Sequence, residues 1–253
     1  MNRAVIVGGT RGIGLAVART LAAQNWQLTL VGRRPPAQLP GQAGVSFLAG
    51  DLNKPDEIIA HVKEHLSGSA LSALIFVQRY RGDGDTWAGE IQTTLTATKE
   101  LIDGLSPLFA ASGGAIVAVS SNAGDFVAYN QSAGYHVAKA GLNQLVRYYA
   151  MRLGRKNIRV NAVSPCTVLK EESRHYYLEN KALHDMYCRI TPLGRMAAAE
   201  EVADVIAFLS GDKASFITGQ NLYVDGGLSL TLHDSLACEL MEASEGRREG
   251  EKV

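Results

Sequence analysis

Short apolar runs alternate along this chain with segments whose apolar residues recur every three or four positions. These two patterns separate a buried strand from a helix with one buried face. Ala4–Val7, Leu28–Val31, Val45–Ala49, Leu74–Val77, Ala115–Val119, Ile158–Val163 and Asn221–Val224 read as strands. Between them, Ile13, Ala16, Val17, Thr20 and Leu21 recur at helical spacing, and Ile58–Leu66, Ile91–Leu105, Tyr135–Leu153 and Glu201–Leu209 read as further helices. Pro107 is expected to kink or end the helix before it. Regular alternation with uninterrupted apolar strands predicts a parallel sheet of about seven strands, covered by helices on both faces. Crossovers are expected to be right-handed. No low-complexity linker divides the chain, so a single α/β domain over residues 1–232 is expected.

Two segments break the rhythm. Residues 168–195 are polar and aromatic at their start, with Lys170, Glu171, Glu172, Arg174, His175, Tyr176 and Tyr177. They read either as a lid over a cleft or as an ordinary surface helix pair. Residues 233–253, charged and glycine-containing from Glu239 onward, read as a flexible extension.

Composition narrows the field. The 253 residues are 46% hydrophobic and 20% charged, enough for a sizeable core. The formal net charge is +0, so no general attraction to nucleic acid or to a membrane is expected. Cys166, Cys188 and Cys238 are too few and too widely spaced for a disulfide framework. The six histidines show no ligand spacing, so no metal is expected. No signal peptide is visible, and no run approaches the roughly 20 apolar residues of a spanning helix. A cytoplasmic protein is therefore expected.

The first strand meets Gly8-Gly9-Thr10-Arg11-Gly12-Ile13-Gly14, which opens the first helix. Glycines there let the backbone turn tightly and approach a pyrophosphate, while the helix N-terminus offers free N–H groups and a partial positive charge. Further on, Tyr135 and Lys139 stand four residues apart and share one face of a helix. A free tyrosine has a pKa near 10 and is a poor acid–base catalyst at neutral pH, but an adjacent ammonium favours the phenolate.

The spacing Gly-x-x-x-Gly-x-Gly together with Tyr-x-x-x-Lys resembles the short-chain dehydrogenase/reductase superfamily. The resemblance runs from Ala4 to Gly227 and includes Val-Asn-Ala-Val-Ser-Pro at 160–165, Pro192-Leu193-Gly194-Arg195, Ile217-Thr218-Gly219-Gln220 and Val224-Asp225-Gly226-Gly227. It implies a doubly wound Rossmann-type sheet and reversible hydride transfer between a nicotinamide and a carbonyl or secondary alcohol. By this resemblance Ser121, three residues before Gly124, holds the substrate oxygen, while Ser120 is structural. Tyr135 is then the proton donor or acceptor, and Lys139 also bonds the nicotinamide ribose. Gly8, Thr10, Arg11, Gly12, Ile13 and Gly14 hold the phosphates, Asp51-Leu52 meets the adenine, and the Val168 backbone holds the carboxamide. The family also implies a homo-oligomer, a dimer or tetramer pairing through the long helices and the last strand.

The second strand ends at Val31-Gly32-Arg33-Arg34, with no carboxylate for a ribose 2′-hydroxyl. A guanidinium there suits a 2′-phosphate, so Arg33 and Arg34 predict NADP(H) over NAD(H), and Arg11 is placed to help. Three positions depart from the family's pattern. Phe76-Val77-Gln78-Arg79 replaces its Asn-Asn-Ala-Gly, Thr94 stands for its catalytic asparagine, and Cys166 follows Pro165 in place of glycine. Thr94 predicts a slower proton relay, Cys166 is read as a tolerated small residue, and Lys170 is read as exposed. Two other functions stay open at this point. One is a catalytically weakened nucleotide-binding protein with a sensor or structural role. The other is an epimerase or dehydratase that uses its cofactor transiently.

Overall fold

In the computed structural model, which describes residues 1–41 and 44–244, every predicted strand forms. In chain order the strands are β1 (Arg3–Val7), β2 (Gln27–Gly32), β3 (Val45–Ala49), β4 (Ala73–Phe76), β5 (Gly114–Val119), β6 (Ile158–Pro165), β7 (Val168–Leu169), β8 (Ala197–Ala198) and β9 (Asn221–Val224). Seven of them make one sheet, ordered β3-β2-β1-β4-β5-β6-β9, with every pairing parallel. β7 and β8 pair separately. The helices are α1 (Gly12–Ala23), α2 (Pro55–Leu66), α3 (Thr86–Glu90), α4 (Ala97–Leu105), α5 (Ala133–Leu153), α6 (Glu171–Glu179), α7 (Lys181–Ile190), α8 (Ala199–Ser210) and α9 (His233–Ser244).

The alternation of side chains along each strand feeds two cores. Ala4 and Ile6 of β1 pack with Val17 and Leu21 of α1 and Val202 and Ile206 of α8. Val5 and Val7 pack on the other face with Val62 of α2, Leu101 of α4, and Leu142 and Val146 of α5. Fully burying such a side chain contributes about 1.5–3 kcal/mol over leaving it exposed, which explains why these strands read as continuous apolar runs. Strand order reverses at β1, between β2 and β4. That switch point opens a crevice at the carboxyl ends of the strands, the place where open α/β sheets bind ligands.

The helix expected from Ile91 begins earlier. Asp85 accepts a hydrogen bond from the Trp87 amide (2.8 Å) and starts α3 at Thr86. The chain then passes through a π-helical stretch, Ile91–Thr96, into α4. Pro107 sits in the 3₁₀ turn Ser106–Leu108 that follows α4, so it ends the helix. Residues 168–195 fold as β7, which buries Val168, and the helix pair α6–α7, in which no residue is buried. The extension expected to be flexible carries α9 over its first part, and its remainder, residues 245–253, lies outside the described residues. Among the described residues no helix is long and apolar enough to cross a membrane.

Candidate active site

The loop after β1 is shaped by glycine at two contacts. Gly8 has φ +83°, and a Cβ there would lie 2.7 Å from the Gln78 nitrogen at the exit of β4. A Cβ on Gly14 would lie 2.2 Å from the Gly8 carbonyl oxygen, so only hydrogen lets the loop close on the start of α1. No side chain caps α1, which leaves its first N–H groups free for an anion.

This loop forms one wall of a cleft of about 470 Å³, within the range of small-molecule sites. Gly8, Thr10, Arg11, Gly12, Ile13 and Gly14 all line it. Arg33, Asp51 and Leu52 line it at the ends of β2 and β3, and Val168 lines it from β7. Ser121, Tyr135 and Lys139 line the same cleft. Arg34, predicted beside Arg33, is exposed and outside the lining, in the bend that follows β2.

The two serines after β5 divide their work. The Ser120 hydroxyl donates to the Lys139 carbonyl (3.4 Å) and so ties β5 to α5. Ser121 Oγ accepts from the Ala123 amide (3.2 Å) and donates to Asn122 Oδ1 (3.3 Å). Tyr135 lies in the first turn of α5, where Ser132 Oγ accepts from its amide (3.2 Å). The neighbouring His136 is pinned at both nitrogens. Nε2 accepts from the Ala128 amide (2.8 Å), which leaves Nδ1 to donate to the Ser132 carbonyl (2.8 Å).

Lys139 is buried, with Nζ donating to the Val119 carbonyl (2.8 Å) and lying 5.7 Å from the Tyr135 ring centre. Burial pulls its pKa down to about 8; Glu90 opposes this, while Arg79 and Lys170 add to it. Glu90, at the end of α3, escaped the sequence reading, which started this helix one residue later. It is buried, accepts a hydrogen bond from Thr94 Oγ1 (3.4 Å), and has its pKa raised by burial against the pull of Lys139 and Arg79. A carboxylate four residues before Thr94 was the available signal.

The replaced Asn-Asn-Ala-Gly segment has its own connections. Phe76 is buried within β4. Gln78 Nε2 donates to Thr98 Oγ1 (2.8 Å) and more weakly to the Thr93 carbonyl (3.4 Å), while Oε1 is buried with no partner among the described residues. The Arg79 guanidinium carbon lies 4.8 Å from the Tyr135 ring centre. Lys170, expected to be exposed, is half-buried and lines the cleft; burial lowers its pKa, and Arg81, Arg79 and Arg11 lower it further. Burial pushes the Cys166 thiol up to about 11, and Asp225 adds to the shift, so a protonated thiol stands there. Among the described residues no cluster of three or more histidine, cysteine, aspartate or glutamate side chains is arranged to hold a metal.

The profile of a family described as Enoyl-(Acyl carrier protein) reductase matches residues 7–229. The chain is 30% identical over 247 residues to 3-oxoacyl-(acyl-carrier-protein) reductase FabG of Chlamydia trachomatis serovar D, covering 89% of this chain and 96% of that one. Its fold is similar to that of L-sorbose reductase from Gluconobacter frateurii, solved with NADPH and L-sorbose, with a TM-score of 0.78 at 24% identity. That alignment covers 91% of this chain and 97% of the reductase. A 3-oxoacyl-(acyl-carrier protein) reductase from Brucella melitensis, solved with NAD, gives a TM-score of 0.76 at 24% identity over 91% of this chain and 92% of that one.

Proposed function

Because this chain belongs to the short-chain dehydrogenase/reductase superfamily of oxidoreductases, we propose that it is an NADP(H)-dependent enzyme acting on a carbonyl or secondary alcohol. One observation carries the reading: the glycine loop, Arg33, Ser121, Tyr135 and Lys139 line a single cleft at the switch point of the sheet. The residues present also fit a dinucleotide. The uncapped N-terminus of α1 suits a pyrophosphate. The buried Gln78 Oε1 lacks a donor that a ribose hydroxyl would supply. When bound, the nicotinamide supplies or accepts the hydride.

The chain's own residues do the rest. Ser121 Oγ donates to the substrate oxygen and polarises it. Tyr135 gives that oxygen its proton in reduction and removes it in oxidation. The Lys139 ammonium favours the phenolate form left behind. Arg33 holds the 2′-phosphate, and the α6–α7 pair, through Tyr177 and Tyr187 in the lining, covers the cleft and excludes water. We place the residues of the site in one protomer and expect the protein to self-associate as a dimer or tetramer.

Titration with NADPH and NADH, followed by nucleotide fluorescence, tests the cofactor. NADPH should bind at least about tenfold more tightly than NADH, and Arg33→Ala should erase most of that difference, as loss of a charge-assisted phosphate contact requires. Equal binding of both nucleotides would overturn the NADP(H) preference. Binding of neither would overturn the oxidoreductase reading.

A further inference from the structure

Resting on the nicotinamide reading above, we propose that the substrate is a short oxo acid, or the matching hydroxy acid, whose carboxylate is held by Arg79. The argument begins with where the cations of the cleft find their counter-charges. Arg11, Arg33, Arg79, Arg81, Lys139 and Lys170 all line it. Lys139 has the buried Glu90 as its counter-charge. Arg81 has Glu172 at 3.9 Å. Lys170 and Glu172 lie over the phosphate loop, since a Cβ on Gly12 would meet Lys170 Cδ at 3.2 Å and Glu172 Oε1 at 2.9 Å. Lys170 and Arg11 are therefore placed for the pyrophosphate, and Arg33 for the 2′-phosphate.

Arg79 is left over. It leaves the end of β4 exposed in the cleft wall, where its Nη2 donates a hydrogen bond to Gln131 Oε1 (2.8 Å). No carboxylate among the described residues lies within ion-pair distance of it. It also repels its neighbours, lowering the pKa of Arg81 and of Lys170. An arginine set among cations in a concave site focuses a positive potential that an anion relieves. Its planar fork suits a carboxylate bidentately. The guanidinium lies 4.8 Å from the ring centre of Tyr135, the group that exchanges the proton with the substrate oxygen. A carbonyl within reach of Tyr135 thus brings a carboxylate a few atoms away to Arg79. The carbonyl carbon gains a hydride at the expense of the reduced nicotinamide and the oxygen gains a proton. The oxo acid becomes the hydroxy acid, and its carboxylate is unchanged.

The test compares short oxo acids with their methyl esters, using the full chain with NADPH, in wild type, Arg79→Gln and Arg79→Lys. Turnover is measured alongside quenching of the fluorescence of bound NADPH by each compound. Acids should exceed esters in kcat/KM by about tenfold or more, as a charge-assisted bidentate contact implies. Arg79→Gln should cut the acids about tenfold further than the esters, mainly through KM, and Arg79→Lys should restore part of the difference. NADPH affinity in Arg79→Gln should move by less than about twofold, since the phosphates have other partners. Esters used or bound as well as acids would overturn the proposal, as would equal losses for both, which would mean that Arg79 acts only on Tyr135. A loss confined to NADPH affinity would also overturn it. Failure of wild type to bind NADPH at all would instead sink the cofactor reading beneath it.

Discussion

At the scale of single residues, the burial of Lys139 sets its proposed catalytic role against stability. Its pKa falls from 10.5 to about 8 because the buried ammonium loses hydration. Between those two values the unfolded chain binds more protons than the folded one, so this residue's contribution to stability rises with pH from about 8 to 10.5. Below pH 8 the burial of its charge costs the fold its full penalty, of order 3 kcal/mol at most, offset in part by the bond to the Val119 carbonyl. Lys139→Met removes that penalty but leaves the buried Glu90 without its cation and the Val119 carbonyl without its donor, so the variant should fare better relative to wild type at pH 7 than at pH 10 without a large net gain at either. The same variant should lose turnover by about a hundredfold or more, the range of acid–base catalysis. Thermal unfolding at the two pH values, beside an assay, checks both halves. A variant less stable at pH 7 than at pH 10 relative to wild type would show that the ammonium has better partners than its hydrogen bond suggests.

At the scale of elements, the path from Glu90 through Ile91–Thr96 matters most. This π-helical stretch places Thr94 Oγ1 against Glu90 and leaves Thr93, not Thr94, in the cleft lining; π-helical turns are often found at functional sites. Lys139 is faced by Glu90, Arg79 and Lys170 and by the ring of Tyr135. Of these Glu90 is the anion, and it holds the lysine's pKa up. Glu90→Gln should lower that pKa below about 8, so the alkaline fall of activity should move to lower pH. A pH–rate profile unmoved by the substitution would reduce Glu90 to a packing residue. The glycine loop and the Tyr135–Lys139 pair were legible in the sequence because their chemistry is written in local spacing. Seven strands were legible because each is a short, mostly apolar run rich in β-branched or aromatic residues. Glu90 was not, since a carboxylate at a helix start looks like a solvated residue until the fold brings a lysine to it. The role proposed for Arg79 was not legible, because Arg81 is its neighbour in the chain but Tyr135 and Lys170 come from two other places.

At the scale of the molecule, the helices close both faces of the sheet but leave its β9 edge open, since among the described residues β9 pairs with β6 alone. Near that edge large apolar side chains remain in water. Met151 of α5 is 84% exposed and Phe216 is fully so. A Cβ on Gly219 would lie 3.5 Å from that of Ala150, so the loop carrying Phe216 runs beside the end of α5 that carries Met151. Exposed apolar groups gathered next to an open strand edge mark a surface for association. The self-association expected of the family should use this face. Sedimentation at micromolar concentration should give a dimer or tetramer for wild type, and Met151→Glu with Phe216→Glu should give a smaller species, because a charge buried at such a contact is costly without a partner. NADPH affinity should survive the dissociation, as the placement of the site's residues in one protomer proposed above requires. If the double variant kept its size, the face would be an ordinary exposed surface and the assembly would rest on another. If it lost both size and nucleotide together, the cleft would depend on its neighbour for shape, and the placement of the whole site within one protomer would be wrong.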